Sequence, residues 1–298
     1  MLDQSRVPAE IRSLRDGRAL VLYRDAFRGY TPAGASAVEL RNADGTIAWQ
    51  SRPGLDIPDA TIMTLLDATL TDQGRVVLSL VAARPGLGTV HVLSFYPVAP
   101  GEAVRIVVVP VACFRIAAAI GDGVWCLGPD VAKHNQGNAD FQFLHQFSED
   151  GRLRRSIVER KSLSMSPRPW DGRVQITATR QGVAVWMAGR KELALFDYSG
   201  QLLQLTQVPE APLVSDERTD FALDNEGSLF ALGITDRPTE QLASWKRSLF
   251  EFVPSTATWR ASSLAGLSLA VRLVGSANGD VTLWDRERPR LVRLSARK

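Results

Sequence analysis

The chain has 298 residues, 45% hydrophobic and 22% charged, a balance that belongs to folded proteins and excludes a disordered chain. Its 35 Lys and Arg against 32 Asp and Glu leave a net charge of +3, dispersed along the sequence without the clustered basic stripe that nucleic-acid backbones require. No run of about 18 apolar residues occurs, so no membrane span is expected, and MLDQSRVPAEIRSLRDG shows no signal peptide. Neither compartment nor oligomeric state is legible at this level.

From the N-terminus onward one unit recurs, an x-Gly turn followed directly by a β-rich run. It stands as DG-RALVLY from Asp16, QG-RVVLSLV from Gln73, DG-VWCLG from Asp122, QG-VAVWMAG from Gln181, EG-SLFALG from Glu226 and NG-DVTLWD from Asn278. The turn glycines Gly17, Gly74, Gly123, Gly182, Gly227 and Gly279 are spaced by about 50 residues, a repeat period rather than a scatter. A second hairpin follows most of them: VELRNADGTIAW, LSFYPVAPGEAVRI, FLHQFSEDGRLRRSI and LALFDYSGQLLQL. The fifth copy, LFEFVPSTATWRAS, keeps the pattern without the glycine. Such glycines supply the positive φ that tight antiparallel turns need, and the flanking runs have strand length without helical periodicity.

Each unit therefore predicts four antiparallel strands, A to D, with turns at A–B and C–D. Six units in a single domain over residues 1–298 predict an all-β, six-bladed β-propeller, which hides sheet edges around a channel. The sixth copy, VTLWDRERPRLVRLSARK, supplies only strands B and C after its turn, so the segment before Pro8 is expected to close the last blade.

This repeat resembles the six-bladed propeller superfamily, broadly the NHL-type, TolB-like and SMP-30-like lactonase proteins. WD dipeptides, a YWTD motif, kelch double glycines and an Asp-box series are absent. For the lactonase branch the resemblance implies a metal held by a glutamate, two asparagines and an aspartate from inner strands.

With strand A innermost, the B–C and D–A connections share the face at the channel mouth. The B–C connections are long in blade 1 (Arg24–Ser36), blade 3 (Gly128–Asp140) and blade 5 (Gly233–Arg247), and short elsewhere. Exposed loops on a rigid scaffold are where binding residues gather. The candidates are Arg28, Tyr30, Lys133, His134, Arg237 and Trp245, with Arg168 and Trp170 from the connection SPRPWDGR. Their basic and aromatic character points to a non-catalytic module that binds a protein or a small anionic ligand, with no cofactor.

Seven residues before each turn glycine stand Glu10, Asp67, Ile116, Gln175, Asp220 and Arg272, each followed by an apolar residue. A period of two makes this a polar channel-mouth position followed by a core position, and in blade 3 a one-residue slip would present Arg115. The alternative function is a metal-dependent hydrolase in which Glu10, Asp67 and Asp220 hold calcium or act as acid and base. No asparagine occupies an aligned position, Gln175 is a poor stand-in, and Arg272 would repel a cation. Strand starts are also polar simply because they meet water. His91, His134 and His145 lack metal-binding spacing, and no Gly-x-Ser-x-Gly occurs.

Cys113 and Cys126 flank the turn at Asp122–Gly123. A two-residue turn would set Cys126 opposite Ala119, so no disulfide is expected and free thiols lean toward a reducing compartment. Trp49, Trp125, Trp186, Trp259 and Trp284 fall in predicted strands and read as inter-blade core.

Overall fold

The turn-and-strand pattern folds into six antiparallel sheets in a computed structural model, which describes residues 8–14, 16–23, 26, 37–51, 62–84, 86, 88–99, 101–136, 140–159, 174–288 and 290–295. Blade 1 holds β1 Pro8–Ser13, β2 Ala19–Tyr23, β3 Val38–Arg41 and β4 Ile47–Gln50. Blade 2 holds β5 Ile62–Leu70, β6 Arg75–Arg84, β7 Gly88–Pro97 and β8 Arg105–Val109. Blade 3 holds β9 Arg115–Ala118, β10 Val124–Leu127, β11 Gln142–Phe147 and β12 Leu153–Glu159, with a short helix α1, Val131–Asn135, between β10 and β11. Blade 4 holds β13 Val174–Ala178, β14 Val183–Met187, β15 Glu192–Phe196 and β16 Leu202–Gln207. Blade 5 holds β17 Ser215–Leu223, β18 Leu229–Asp236, β19 Lys246–Val253 and β20 Thr258–Ala261, with β21 Leu267–Ser268 added to β19. Blade 6 holds β22 Val271–Ala277, β23 Asp280–Asp285 and β24 Arg290–Ser295.

Strands neighbour one another in chain order within every blade, as predicted. Blade 6 has three strands among the described residues, and the expected closing strand before Pro8 lies outside them. Two turn positions show why the chain is written as it is. At Gly123, with φ +81°, a Cβ would collide with the Phe147 carbonyl oxygen at the end of strand C. In the fifth C–D turn, which lacks glycine, Ala257 takes the left-handed conformation itself, at φ 50°.

The period of two sends alternate side chains to opposite neighbours. Leu20 and Leu22 of β2 pack with blade 2, whereas Val21 and Tyr23 pack with blade 6. The result is one buried hydrophobic cluster at each of six blade interfaces. Ring closure rests on the cluster between blades 6 and 1, where Ile11, Val21 and Tyr23 meet Val274, Trp284 and Leu291. Removing such apolar area from water is the main favourable term available to the fold.

The tryptophans take the expected interface places. Trp125 stacks on Tyr198 of blade 4 with centroids 5.9 Å apart, and Trp186 meets Phe221 of blade 5 at 5.3 Å. Trp49 meets Tyr96 of blade 2 at 5.2 Å, and Trp259 joins the cluster between blades 4 and 5. Among the described residues no helix is long and apolar enough to cross a membrane.

One expectation is overturned. Cys113 and Cys126 form a disulfide, with Cα atoms 5.1 Å apart. The A–B turn of blade 3 is wider than two residues, so Cys126 pairs with Ile116 rather than with Ala119. Just upstream the backbone folds tightly, and the Phe114 N–H donates to the carbonyls of both Ala112 and Leu127. That kink carries Cys113 back beside Cys126. The expectation of free thiols, and the lean toward a reducing compartment, fall with it.

Candidate channel-mouth and loop surface

The six inner strands surround a cavity of about 360 Å³, lined by at least one residue from each, including Arg12, Thr69, Ala117, Gln175, Ala222 and Ser276. Of the polar positions named for its mouth, Glu10, Asp67, Gln175 and Arg115 line this cavity, and several of the set reach sideways to a neighbouring blade. Asp67, fully buried in blade 2, accepts the Ile116 N–H of blade 3 at 2.7 Å. Arg115 takes the blade 3 position by the expected one-residue slip and donates from Nε to the Val174 carbonyl of blade 4 at 2.8 Å. Gln175 of blade 4 uses both ends of its amide on blade 5, donating to the Phe221 carbonyl at 2.9 Å and accepting from the Leu223 N–H at 2.7 Å. Asp220 of blade 5 accepts the Leu273 N–H of blade 6 at 3.3 Å and the Arg272 Nε–H, shared between its two oxygens at 2.8 Å each.

Sequence reasoning missed two members of this ring. Arg12 lies two residues beyond Glu10 on the same face of β1. It bonds Glu10 at 2.9 Å, pairs with Asp67, and donates to the carbonyls of Ala68 at 2.6 Å and Ile116 at 3.3 Å. Arg247, only 1% exposed, reaches from β19 to Asp220 at 3.0 Å and to the Val271 carbonyl at 2.6 Å. The i, i+2 spacing of Glu10 and Arg12 was a readable signal; Arg247 sat in a stretch read as loop.

The electrostatics divide into two groups. In the first, burial raises the Glu10 carboxyl, but Arg12 and then Arg115 outweigh it and hold it below the usual range. Burial pushes the Asp67 carboxyl up, opposed by Arg12 and Arg115 and reinforced by Glu10. In the second, Arg247 and Arg272 share the single carboxylate of Asp220, and burial lowers the Arg247 pKa. Guanidinium groups thus hold all three carboxylates proposed as metal ligands or acid–base groups. Glu10 and Asp67 come together through Arg12, whereas Asp220 is held apart from them in the Arg247–Arg272 pair. Among the described residues no group of three or more His, Cys, Asp and Glu is arranged to hold a metal ion. A cation such as calcium needs six to eight oxygen ligands, and this guanidinium-rich ring does not fit it.

Two of the three long loops can be described in part or whole. In blade 3, Asp130 caps α1 by accepting the Lys133 N–H at 3.0 Å, and Lys133 Nζ donates to the Asp140 carbonyl at 3.2 Å. His134 meets Phe141 edge-on at 6.4 Å. In blade 5 the loop is shorter than predicted, because Asp236 still pairs with Lys246 across β18 and β19. At its tip the Arg237 guanidinium lies 4.3 Å over the Trp245 ring, and Trp245 Nε1 donates to the Thr239 carbonyl at 2.7 Å. Arg28, Tyr30, Arg168 and Trp170 lie outside the described residues. His145 is buried between the Ser156 hydroxyl at 2.8 Å and the Gly128 carbonyl at 3.0 Å, and burial lowers its pKa to about 4.

No protein-family signature matches this chain, and no curated protein matches it either. Solved structures do. A protein of unknown function from Bacteroides thetaiotaomicron is 10% identical over 98% of this chain and 72% of its own, with a TM-score of 0.51. The periplasmic gluconolactonase of Pseudomonas aeruginosa is 11% identical over 97% of this chain and 81% of its own, at a TM-score of 0.44. A WD40 domain from fission yeast is 8% identical over 100% and 70%, at 0.43. At these identities the likeness concerns fold alone. The chain is a six-bladed β-propeller.

Proposed function

We propose that this protein is a non-catalytic binding propeller that recognises an acidic segment of another protein across the mouth face of blades 1, 3 and 5. The observation that carries this reading is the Arg237–Trp245 pair, a guanidinium held over an indole at the tip of the blade 5 loop. Stacking fixes the cation in place, and Arg and Trp are the side chains that most often dominate protein interfaces. Lys133 on α1 adds a second cation on a different blade. Cations on separate loops suit an extended acidic stretch better than a compact ion. Arg28, Tyr30, Arg168 and Trp170 are assigned to the same surface from the sequence, and the repeat pattern keeps the NHL-type, TolB-like and SMP-30-like class as the family reading. Because disulfides persist in oxidising surroundings, we assign the protein to such a compartment.

The test is a titration of a labelled Glu-rich peptide followed by fluorescence anisotropy. Arg237→Ala with Trp245→Ala should weaken binding about tenfold or more, the loss of roughly 1.4 kcal/mol, and Lys133→Ala should add to it. Equal binding by wild type and variants contradicts the proposal, as does binding of citrate or phosphate with no binding of the peptide.

Of the hydrolase reading only an acid–base pair of Glu10 and Asp67 without a metal is kept as the second reading, favoured by the opposite displacement of their pKa values. It requires turnover of an ester or lactone substrate that EDTA leaves unchanged and Glu10→Gln abolishes. No turnover by the wild type removes it.

A further inference from the structure

The outer strand of blade 4, β16, reads LLQLTQ and carries no charged residue. Leu202, Leu203 and Leu205 are 40%, 49% and 52% exposed, so three of the ten exposed large hydrophobics among the described residues fall within four positions. One edge of β16 pairs with β15, matching Thr206 with Leu193, Leu205 with Ala194 and Gln204 with Leu195. Its other edge meets no strand among the described residues, leaving a row of backbone donors and acceptors. Proteins usually guard such edges with charge. Here three other outer strands do so: Arg105 begins β8, Arg154 and Arg155 stand in β12, and Arg260 stands in β20. Uncharged β4 exposes one large hydrophobic residue, Ile47.

We propose that β16 pairs antiparallel with β16 of a second copy of this chain, joining two blade 4 sheets into one. Two arguments select the copy over another strand. An uncharged strand can face itself without like charges meeting, whereas β12 paired with itself would bring its arginines together. A twofold pairing is also self-complementary here. Centred on Gln204, it sets Leu203 of each copy opposite Leu205 of the partner subunit. The four leucines then gather on the face where Ala194 belongs to the cluster shared with blade 3. Gln204 and Thr206 point to the other face, where they border a groove of about 510 Å³ between blades 4 and 5, whereas Leu202, beyond the bulge at Leu203, pairs with Phe196 of the blade 3 cluster. The contact lies on the rim of the ring, so the channel-mouth loops stay free in both copies. This inference is independent of what those loops bind.

Sedimentation equilibrium of the full chain at tens of micromolar tests it. The wild type should sediment at twice the chain mass of 32.6 kDa. Leu203→Lys with Leu205→Lys should sediment as a monomer with an unchanged far-ultraviolet circular dichroism spectrum, since both side chains are already half-exposed. Val108→Lys, on the outer strand of blade 2, should remain a dimer. Gln204→Cys reports the register separately, because residues facing each other across the twofold axis should give a disulfide-linked dimer on a non-reducing gel. A monomeric wild type overturns the proposal. So does a double variant that stays dimeric, or a dimeric Gln204→Cys protein that never cross-links.

Discussion

Replacing Cys113 and Cys126 by alanine opens a covalent loop whose ends are 13 residues apart in sequence. The chain-entropy relation gives about 3 kcal/mol for closing a loop of this length, most of it acting on the unfolded state. Both sulfurs also lie in the cluster between blades 2 and 3, with Val77, Phe95 and Phe147. Truncation therefore adds a packing loss of roughly 1 kcal/mol to the closure effect. Reduction of the wild type leaves the side-chain volume in place and removes closure alone. The assay is urea unfolding of oxidised wild type, reduced wild type and the double variant, read from midpoint and slope together, because opening the loop expands the unfolded state. Stability should fall in that order, by about 3 kcal/mol at the first step and by less at the second. Thiol titration of the unfolded, unreduced protein should find no free cysteine. Two reactive thiols, or equal midpoints with and without reductant, would refute the register that brings Cys113 back to Cys126.

Asp67→Ala leaves Arg12 and the Ile116 N–H without their buried acceptor, and should cost about 3–5 kcal/mol in urea unfolding. Adding Arg12→Ala should cost less than it does alone, and simple additivity would show that the pair is not coupled. His145 keeps a folded-state pKa of about 4 against an ordinary 6.5, so its contribution is present above pH 6.5 and is lost as pH falls toward 4. The loss is about 3 kcal/mol, and His145→Gln should flatten stability over that window; an unchanged pH profile would contradict the buried neutral ring. Gly123→Ala combines a positive φ with a collision at the Phe147 carbonyl, and should lower stability by more than about 1 kcal/mol. Trp186→Ala should cost roughly 3–5 kcal/mol by emptying the interface between blades 4 and 5, and a melting temperature within error of wild type would contradict that packing.

The architecture was legible because local chemistry repeats. A turn glycine followed by an apolar strand recurs six times, and the period of two then fixes which residues face which neighbour. The same alignment named Glu10, Asp67, Gln175, Asp220, Arg272 and, by a slip, Arg115 for the channel mouth, and four of these, Glu10, Asp67, Gln175 and Arg115, line the central cavity. What it could not give was their occupation. Several of their partners are backbone atoms of the adjacent blade, about 50 residues away, as in the Gln175 bonds to Phe221 and Leu223. Such partners carry no residue signature, so a ring that fastens blades looks the same in sequence as one that holds a ligand. The disulfide was hidden for a related reason. It depends on a three-residue kink at Ala112–Phe114, where nothing in the residue types marks the fold. The blade 5 loop was overestimated because Thr235 and Asp236 continue β18 with polar side chains, which read as loop.

The central claim is that recognition belongs to the loops at the channel mouth, and hydrogen exchange read by mass spectrometry tests it directly. With the Glu-rich peptide bound, amides in segments 131–136 and 237–246 should be protected, while the A–B turns at 72–75, 181–183 and 225–228 exchange as in the free protein. Protection confined to those turns, or to the channel strands with both loops unchanged, would contradict it.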